Sequence, residues 1–109
     1  MSIYDIHGSA NDGEYLSEPM NINEERHYLS IVFFDSASQA VTPGSGSILI
    51  EACETNAYQY GEVATITATE AGLDSTYNRP AFSGPIFSVR ITLTGVTGAN
   101  NFSCRIGAW

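Results

Sequence analysis

A two-residue alternation of apolar and polar side chains is the feature that most constrains how this chain can fold. It is clearest in IFSVRITLT, where Phe87, Val89, Ile91 and Leu93 alternate with polar residues. Successive side chains of a strand point to opposite faces, so this pattern predicts strands with one buried face. The alternating segments are Tyr28–Asp35, Ser47–Glu54, Glu62–Thr69, Ile86–Thr94 and Asn101–Gly107. Outside a single possible turn at Thr69–Leu73, no helical period is present. We therefore expect an all-β, antiparallel β-sandwich, jelly-roll-like or a small barrel.

The chain of 109 residues is the size of one domain. Residues 28–109 hold the alternating segments and form the predicted sandwich domain. Residues 1–27 are polar with scattered apolar side chains, and we expect a partly extended N-terminal arm or one or two short edge strands. The strand at Tyr28–Asp35 is apolar on both faces, which predicts a central strand covered on both sides.

Aromatic side chains are concentrated in the predicted loops. The segment Ser75–Pro85 combines two prolines and a glycine with two rings, which predicts a rigid contact loop. Exposed rings could anchor a protein interface, where Tyr and Trp are enriched, or stack on sugar. The candidate interface residues are Tyr58, Tyr60, Tyr77, Arg79, Phe82 and Trp109.

The charge is strongly one-sided. Twelve acidic residues oppose four arginines, lysine is absent, and the net charge is −8. Binding to a nucleic-acid backbone or an anionic membrane surface needs cations, so neither is an expected partner. Lysine commonly protects edge strands from pairing, so an exposed edge here must be covered, bulged or paired with another chain. Ser, Thr and Asn number 28, which predicts a surface of hydroxyl and amide groups suited to packing in an assembly.

Groups that could carry catalysis or bind a metal are sparse. Asp5, His7, Asp12 and Glu14 are close in sequence but fit no calcium-binding loop, and no nucleophile motif is present. We expect no enzyme activity, no cofactor and no metal site.

The two cysteines, Cys53 and Cys104, lie on predicted strands and form no C-x-x-C pair. The segment Met1–Asp5 lacks the basic and apolar regions of a secretory signal. We therefore expect reduced, core-filling thiols rather than a disulfide, although a sandwich could bring the two together.

The C-terminal third resembles small virion proteins of tailed bacteriophages. The resemblance is carried by Gly84–Ile86, by the strand and turn V-R-I-T-L-T-G-V-T-G-A at 89–99, and by the closing strand F-S-C-R-I at 102–106. The strand I-V-F-F-D at 31–35, with the Thr-Pro-Gly turn after it and a second strand from Gly46, is similar too.

The resemblance implies a β-sandwich that decorates or cements a capsid, or an accessory subunit of the tail. It further implies a symmetric homo-oligomer, with a trimer favoured, and a location in the virion after assembly in the host cytoplasm. The expected partner is the major capsid protein or another virion protein. A carbohydrate- or host-receptor-binding module of the phage tail is the alternative. The lysine-free acidic surface and the N-terminal segment are not matched by the family.

Overall fold

Strands account for nearly all regular structure in the residues described by the computed structural model, which are 2–17, 26–54, 59–69, 81–83 and 86–108. None of these segments forms a helix with the length and apolarity of a membrane span. The strands are β1 Ser2–Ser9, β2 Gly13–Leu16, β3 Arg26–Phe34, β4 Ala40–Val41, β5 Ser45–Cys53, β6 Gly61–Thr67, β7 Ala81–Ser83, β8 Ser88–Thr97 and β9 Asn101–Ala108.

The strands form two sheets. Sheet A has the order β1-β9-β3-β4, with β7 also paired to β3, and sheet B has the order β2-β8-β5-β6. Every strand pairing in the described residues is antiparallel. When β4 is set aside, the two orders β1-β9-β3-β7 and β2-β8-β5-β6 are those of a jelly roll, a sandwich of two Greek keys. The predicted all-β sandwich is confirmed.

The core lies between the inner faces of the two sheets. Phe33, Phe102, Ile50 and Ile91 are each at most 1% exposed. At one end the ring of Tyr15 meets Phe102 edge-on, with ring centroids 4.9 Å apart. The side chains of Val89, Ile91 and Leu93 face inward from β8, as the alternation predicted.

The described part of residues 1–27 lies within the two sheets. β1 pairs with β9 and forms one edge of sheet A, and β2 pairs with β8 and forms one edge of sheet B. Residues 18–25 lie outside the described residues.

Strand β3 is internal to sheet A, flanked by β9 on one side and by β4 and β7 on the other. Its outward side chains Val32 and Phe34 are only half-buried. The prediction of a strand covered on both sides is therefore wrong for these positions. Its two apolar faces are explained by its central place in the sheet, where even outward residues are partly shielded by their cross-strand neighbours.

The predicted contact loop contains a short strand. Ala81–Ser83 pairs with Arg26–Tyr28 of β3, whereas the sequence predicted only loop between residues 75 and 85. The three residues lie between Pro80 and Pro85, and each retains the backbone N–H that proline lacks, so a brief ladder can form.

Candidate interaction surface

The outer face of sheet B carries an ordered array of hydroxyl groups, which we call the hydroxyl face. The register places Ser47 opposite Thr67 on one side and Thr94 on the other, and Leu49 opposite Thr65 and Thr92. Directly opposite side chains in a sheet lie about 4.5–5.5 Å apart at Cβ, so these residues form two rows across the strands. A third row holds Leu16, Arg90, Glu51 and Glu62, and Glu14 extends the second row onto β2.

The hydroxyl face results from the alternation that builds the core. The neighbours of the inward Ile, Val and Leu residues of β5, β6 and β8 point outward. Hydroxyl side chains are common at these outward positions, alongside Leu49, Glu51 and Arg90: Ser47, Thr65, Thr67, Thr92 and Thr94. Thr is a good strand former because its branched side chain fits the pleated surface. Leu16 is 54% exposed and is the exposed large apolar residue of the described structure.

Arg90 is the centre of the polar contacts on this face. Its Nε donates to Oε1 of Glu51 at 3.0 Å, and Nη2 lies 2.9 Å from the same oxygen. Nη1 lies 3.6 Å from Oε2 of Glu14 on the neighbouring strand. The side chains of Arg90 and Glu51 are 29% and 15% exposed. The arginine therefore joins β2, β5 and β8 and offsets part of the acidic charge there.

Tyr60, one of the predicted interface residues, is held against this network. The Arg90 guanidinium carbon lies 4.4 Å from the centroid of the Tyr60 ring, a cation–π geometry. The Tyr60 hydroxyl donates to Ser88 Oγ at 2.9 Å. Burial raises the pKa of the Tyr60 phenol, and the hydrogen bond to Ser88 partly offsets this. One face of the ring is thus occupied by the protein's own arginine.

Beneath Tyr60 lies a small buried group of hydroxyls. Ser88 is 1% exposed, although it points to the outer face of sheet B. Its Oγ lies 3.4 Å from Ser17 Oγ, and Ser17 Oγ in turn accepts the backbone N–H of Val89 at 2.9 Å. Tyr60 joins this group through its bond to Ser88, which lies one row beyond Arg90 and Glu51.

The cysteines lie in different sheets. Cys104 faces the core from β9 of sheet A, Cys53 is on the outer side of β5 in sheet B, and both are buried and free. Burial raises the pKa of the Cys104 thiol, with the charge of Asp5 as a smaller cause. Both thiols are free, as the sequence predicted, but the prediction that they fill the core holds for Cys104 and not for Cys53.

The acidic and histidine residues considered for a metal are divided between the sheets. Asp5 and His7 point outward from β1 of sheet A, whereas Glu14 is on β2 of sheet B. Asp12 Oδ1 accepts the backbone N–H of Gly95 at 2.7 Å and so fixes a turn. In the part of the chain that the structure describes, no three His, Cys, Asp or Glu side chains lie within reach of one metal ion.

Phe82, another of the predicted interface residues, lies in β7, in register with His27 of β3. Tyr58, Tyr77, Arg79 and Trp109 lie outside the described residues, so their predicted role stays a prediction.

The central role of Arg90 cannot be inferred from the sequence. The alternation gives it only as an outward position of a strand, and its contacts with Glu14 and Glu51 depend on strand pairings distant in sequence. One signal was available: Arg90 is the one charged residue in the otherwise uncharged strand Ser88–Thr97.

The outer face of sheet A is less regular. A groove of about 190 Å³ on it is lined by Ser30, Val32, Phe34, Ser103 and Arg105. A second groove, of about 350 Å³, lies at the end of the β5–β6 hairpin and is lined by Ala52, Glu54, Gln59 and Gly61. Both are open to the surface, and neither gathers a set of groups with recognisable chemistry.

The fold and the hydroxyl face together define a jelly-roll β-sandwich with a polar outer face on sheet B. A family model described as a domain of unknown function, DUF7265, matches residues 6–108, and the chain belongs to this family. No curated protein matches the chain.

Two solved structures are similar in fold. One, from Bacillus endospore appendages described as disulfide-linked pili, is 17% identical, covers 96% of this chain and 82% of its own, and has a TM-score of 0.47. The other, the SPBc2 prophage-derived protein YomS, is 10% identical, covers 97% and 95%, and has a TM-score of 0.45. At such low TM-scores neither likeness bears on function.

Proposed function

We propose that this chain is a structural, non-enzymatic subunit of a tailed-phage particle that binds the outside of the capsid through the hydroxyl face. The proposal builds on the resemblance of the C-terminal third to small virion proteins. The observation that carries it is the hydroxyl face itself, an ordered polar surface on three long strands with an exposed leucine at its rim.

The chemistry of the hydroxyl face suits docking. Hydroxyl groups form hydrogen bonds with a partner and are cheaper to remove from water than charges. Arg90 and Glu51 at the centre of the face already pair with each other, so a partner can cover this pair without leaving an isolated buried charge. Glu14 and Glu62 on the same face are exposed, and a partner that covers them would supply hydrogen-bond donors or positive charge.

The rigidity of the face supports the same function. Arg90 bonds to side chains on two other strands, and the hydroxyl of Tyr60 bonds to Ser88. A surface whose side chains are already fixed loses little conformational freedom on binding, which favours affinity. The net charge of −8 is repelled by packaged nucleic acid and so fits a position outside the shell.

Within the proposal, copies of the chain assemble with each other as well as with the major capsid protein or another virion protein. Binding to carbohydrate through exposed rings remains the alternative outcome. Tyr60 does not favour it, because Arg90 covers one face of the ring that a sugar would use.

The test is binding of the purified chain to phage particles that lack it, measured by co-sedimentation. A variant with Leu16→Lys and Thr94→Lys places two bulky charges at exposed positions of the hydroxyl face. We expect its affinity for the particle to fall about tenfold or more.

The matched control is Gln39→Lys, which adds a lysine in an exposed turn next to sheet A, away from the hydroxyl face. It is expected to bind the particle as the unaltered chain does. Equal binding by both variants would refute the role of the hydroxyl face. Failure of the unaltered chain to bind any particle, together with hits on a glycan array, would replace the proposal by the carbohydrate-binding alternative.

A further inference from the structure

The edges of the two sheets differ in how well they are protected. In the described residues, the edge strands β2, β4 and β7 are four, two and three residues long. β6 is longer, but its ladder with β5 is broken by a register shift at Ile50/Glu51. Short strands and bulges are two of the ways in which proteins prevent edge pairing. These four edges are therefore poor templates for another strand.

β1 is the exception. It pairs with β9 in an unbroken register over all eight residues from Ser2 to Ser9, and no described strand pairs with its other edge. It contains neither lysine nor proline. A long, regular edge without these residues is an expected site for strand addition.

The backbone of β1 shows which residues would form the new ladder. The N–H of Ala10 donates to the carbonyl of Asn100 at 2.9 Å, continuing the register of β1 with β9. Hydrogen-bonding groups alternate sides along a strand, so the even-numbered residues of β1 bond to β9. The N–H and C=O groups of the odd-numbered residues 3, 5, 7 and 9 consequently point to the open edge. Ser9 is partly engaged, since its carbonyl accepts the Tyr15 hydroxyl at 2.7 Å.

We propose that β1 pairs antiparallel with β1 of a second copy of this chain, about a twofold axis at Ile6. This register places Asp5 of each copy directly opposite His7 of the other. Both are odd-numbered, so each pair would exchange backbone hydrogen bonds at the open edge, and both side chains are exposed on the outer face of sheet A. The carboxylate and the imidazolium are complementary in charge, and the twofold axis makes the pair twice.

Other registers that pair odd-numbered residues lack this complementarity. A twofold axis at Asp5 would set the two Asp5 carboxylates against each other, and an axis at His7 would do the same for the two imidazoles. Like charges directly opposite in a sheet are destabilising. In a chain with a net charge of −8, a contact between copies needs such local compensation, and the axis at Ile6 provides it.

The charged groups around His7 are few. On the outer face of sheet A it is in register with Ser103 of β9, and Asp5 and Ser9 are its neighbours on β1. Arg105 lies diagonally on β9 and is 3.6 Å from Asp5. Asp5 would thus lie between Arg105 of its own chain and His7 of the second copy.

This inference goes beyond the proposed function, because it concerns the purified chain without any particle. A twofold pair is also not the trimer that the resemblance implies; it would be a contact in addition to any threefold one.

The experiment is sedimentation equilibrium of charge-exchange variants at about pH 6. Asp5→His places two imidazoles opposite each other, and His7→Asp places two carboxylates opposite each other. Each variant alone should associate at least about tenfold more weakly than the unaltered chain. An equimolar mixture of the two restores every opposite pair, so it should form a mixed dimer as tightly as the unaltered chain.

The control is Gln39→Asp, which adds a charge in the exposed turn before β4, away from β1 and from the hydroxyl face, and should leave association unchanged. Circular dichroism of each variant checks that the sandwich is folded. Recovery of dimer in the mixture supports the β1 pairing. A chain that stays monomeric at all concentrations, a dimer unaffected by either exchange, or a dimer lost only in Gln39→Asp would overturn it. None of these results depends on binding to a capsid, so failure here leaves the proposed function standing.

Discussion

Replacing Arg90 by methionine removes the guanidinium group that joins β2, β5 and β8 on the hydroxyl face while keeping an unbranched side chain. The substitution leaves Glu51, whose side chain is 15% exposed, without its two contacts at 2.9 and 3.0 Å. It also removes the cation from the Tyr60 ring, 4.4 Å away. Glu14 loses a weaker contact at 3.6 Å and is itself 58% exposed.

The size of the effect follows from these contacts. A hydrogen bond to a charged group contributes about 1.5–3 kcal/mol, and a cation–π contact at a partly exposed site about 0.5–1 kcal/mol. The exposed Glu14 contact adds little. We therefore expect the free energy of unfolding to fall by about 2–4 kcal/mol. For a domain of this size that corresponds to a decrease in Tm of roughly 10 °C or more.

The measurement is urea denaturation followed by circular dichroism, with Arg105→Met as the matched control. Arg105 is 62% exposed and lies 3.6 Å from Asp5, so its loss should cost less than about 1 kcal/mol. Replacing Arg90 and Glu51 together by Met and Leu should recover part of the loss, since no unpaired charge then remains. Equal effects of Arg90→Met and Arg105→Met would refute the structural role given to Arg90.

Three further outcomes are expected. The raised pKa of Tyr60 means that the folded state favours the neutral phenol. The stability that this preference contributes is fully present below about pH 10 and is lost as the pH rises through the pKa of the folded state. In alkaline denaturation, a Tyr60→Phe variant should lack that decline. Cys104 is buried with a raised pKa, so a thiol reagent should modify it in the native protein only as fast as the chain opens, whereas immediate reaction would contradict its burial. A Cβ at Gly8 would lie 2.8 Å from the Tyr15 ring, whereas one at Gly61 would meet nothing within 4 Å. Thermal melts should therefore show Gly8→Ala destabilised by about 1–3 kcal/mol and Gly61→Ala much less affected. Similar melts for the two variants would contradict the packing of Tyr15.

The long strands could be predicted because each has one face in the core. In β8, the alternation of Val89, Ile91 and Leu93 with polar residues determines both the strand and the side that faces inward. β1 gave a weaker signal, since its outward Asp5 and His7 leave few apolar residues and its pairing with β9 joins the two ends of the chain. β7 gave almost none, because three residues between prolines form a strand only when β3 is beside them.

The hydroxyl face was predictable in composition but not in arrangement. The excess of Ser and Thr indicated a surface made for packing, yet the rows depend on the registers of β5 with β6 and β8. The position of Tyr60 over Arg90 likewise depends on the fold, because the two residues are thirty positions apart in the sequence and the loop before Tyr60 carries no alternation. Exposed aromatic residues in a loop indicate contact, but they do not indicate whether the contact is with a partner or with the protein's own arginine.

The central claim is that the hydroxyl face of this jelly roll binds the outside of a phage capsid, and electron cryomicroscopy of particles reconstituted with the chain tests it most directly. We predict density for the sandwich on the exterior of the shell, with the strands β5, β6 and β8 turned toward the capsid surface. Density with the hydroxyl face directed to solvent, or particles that carry no copy of the chain, would contradict the claim.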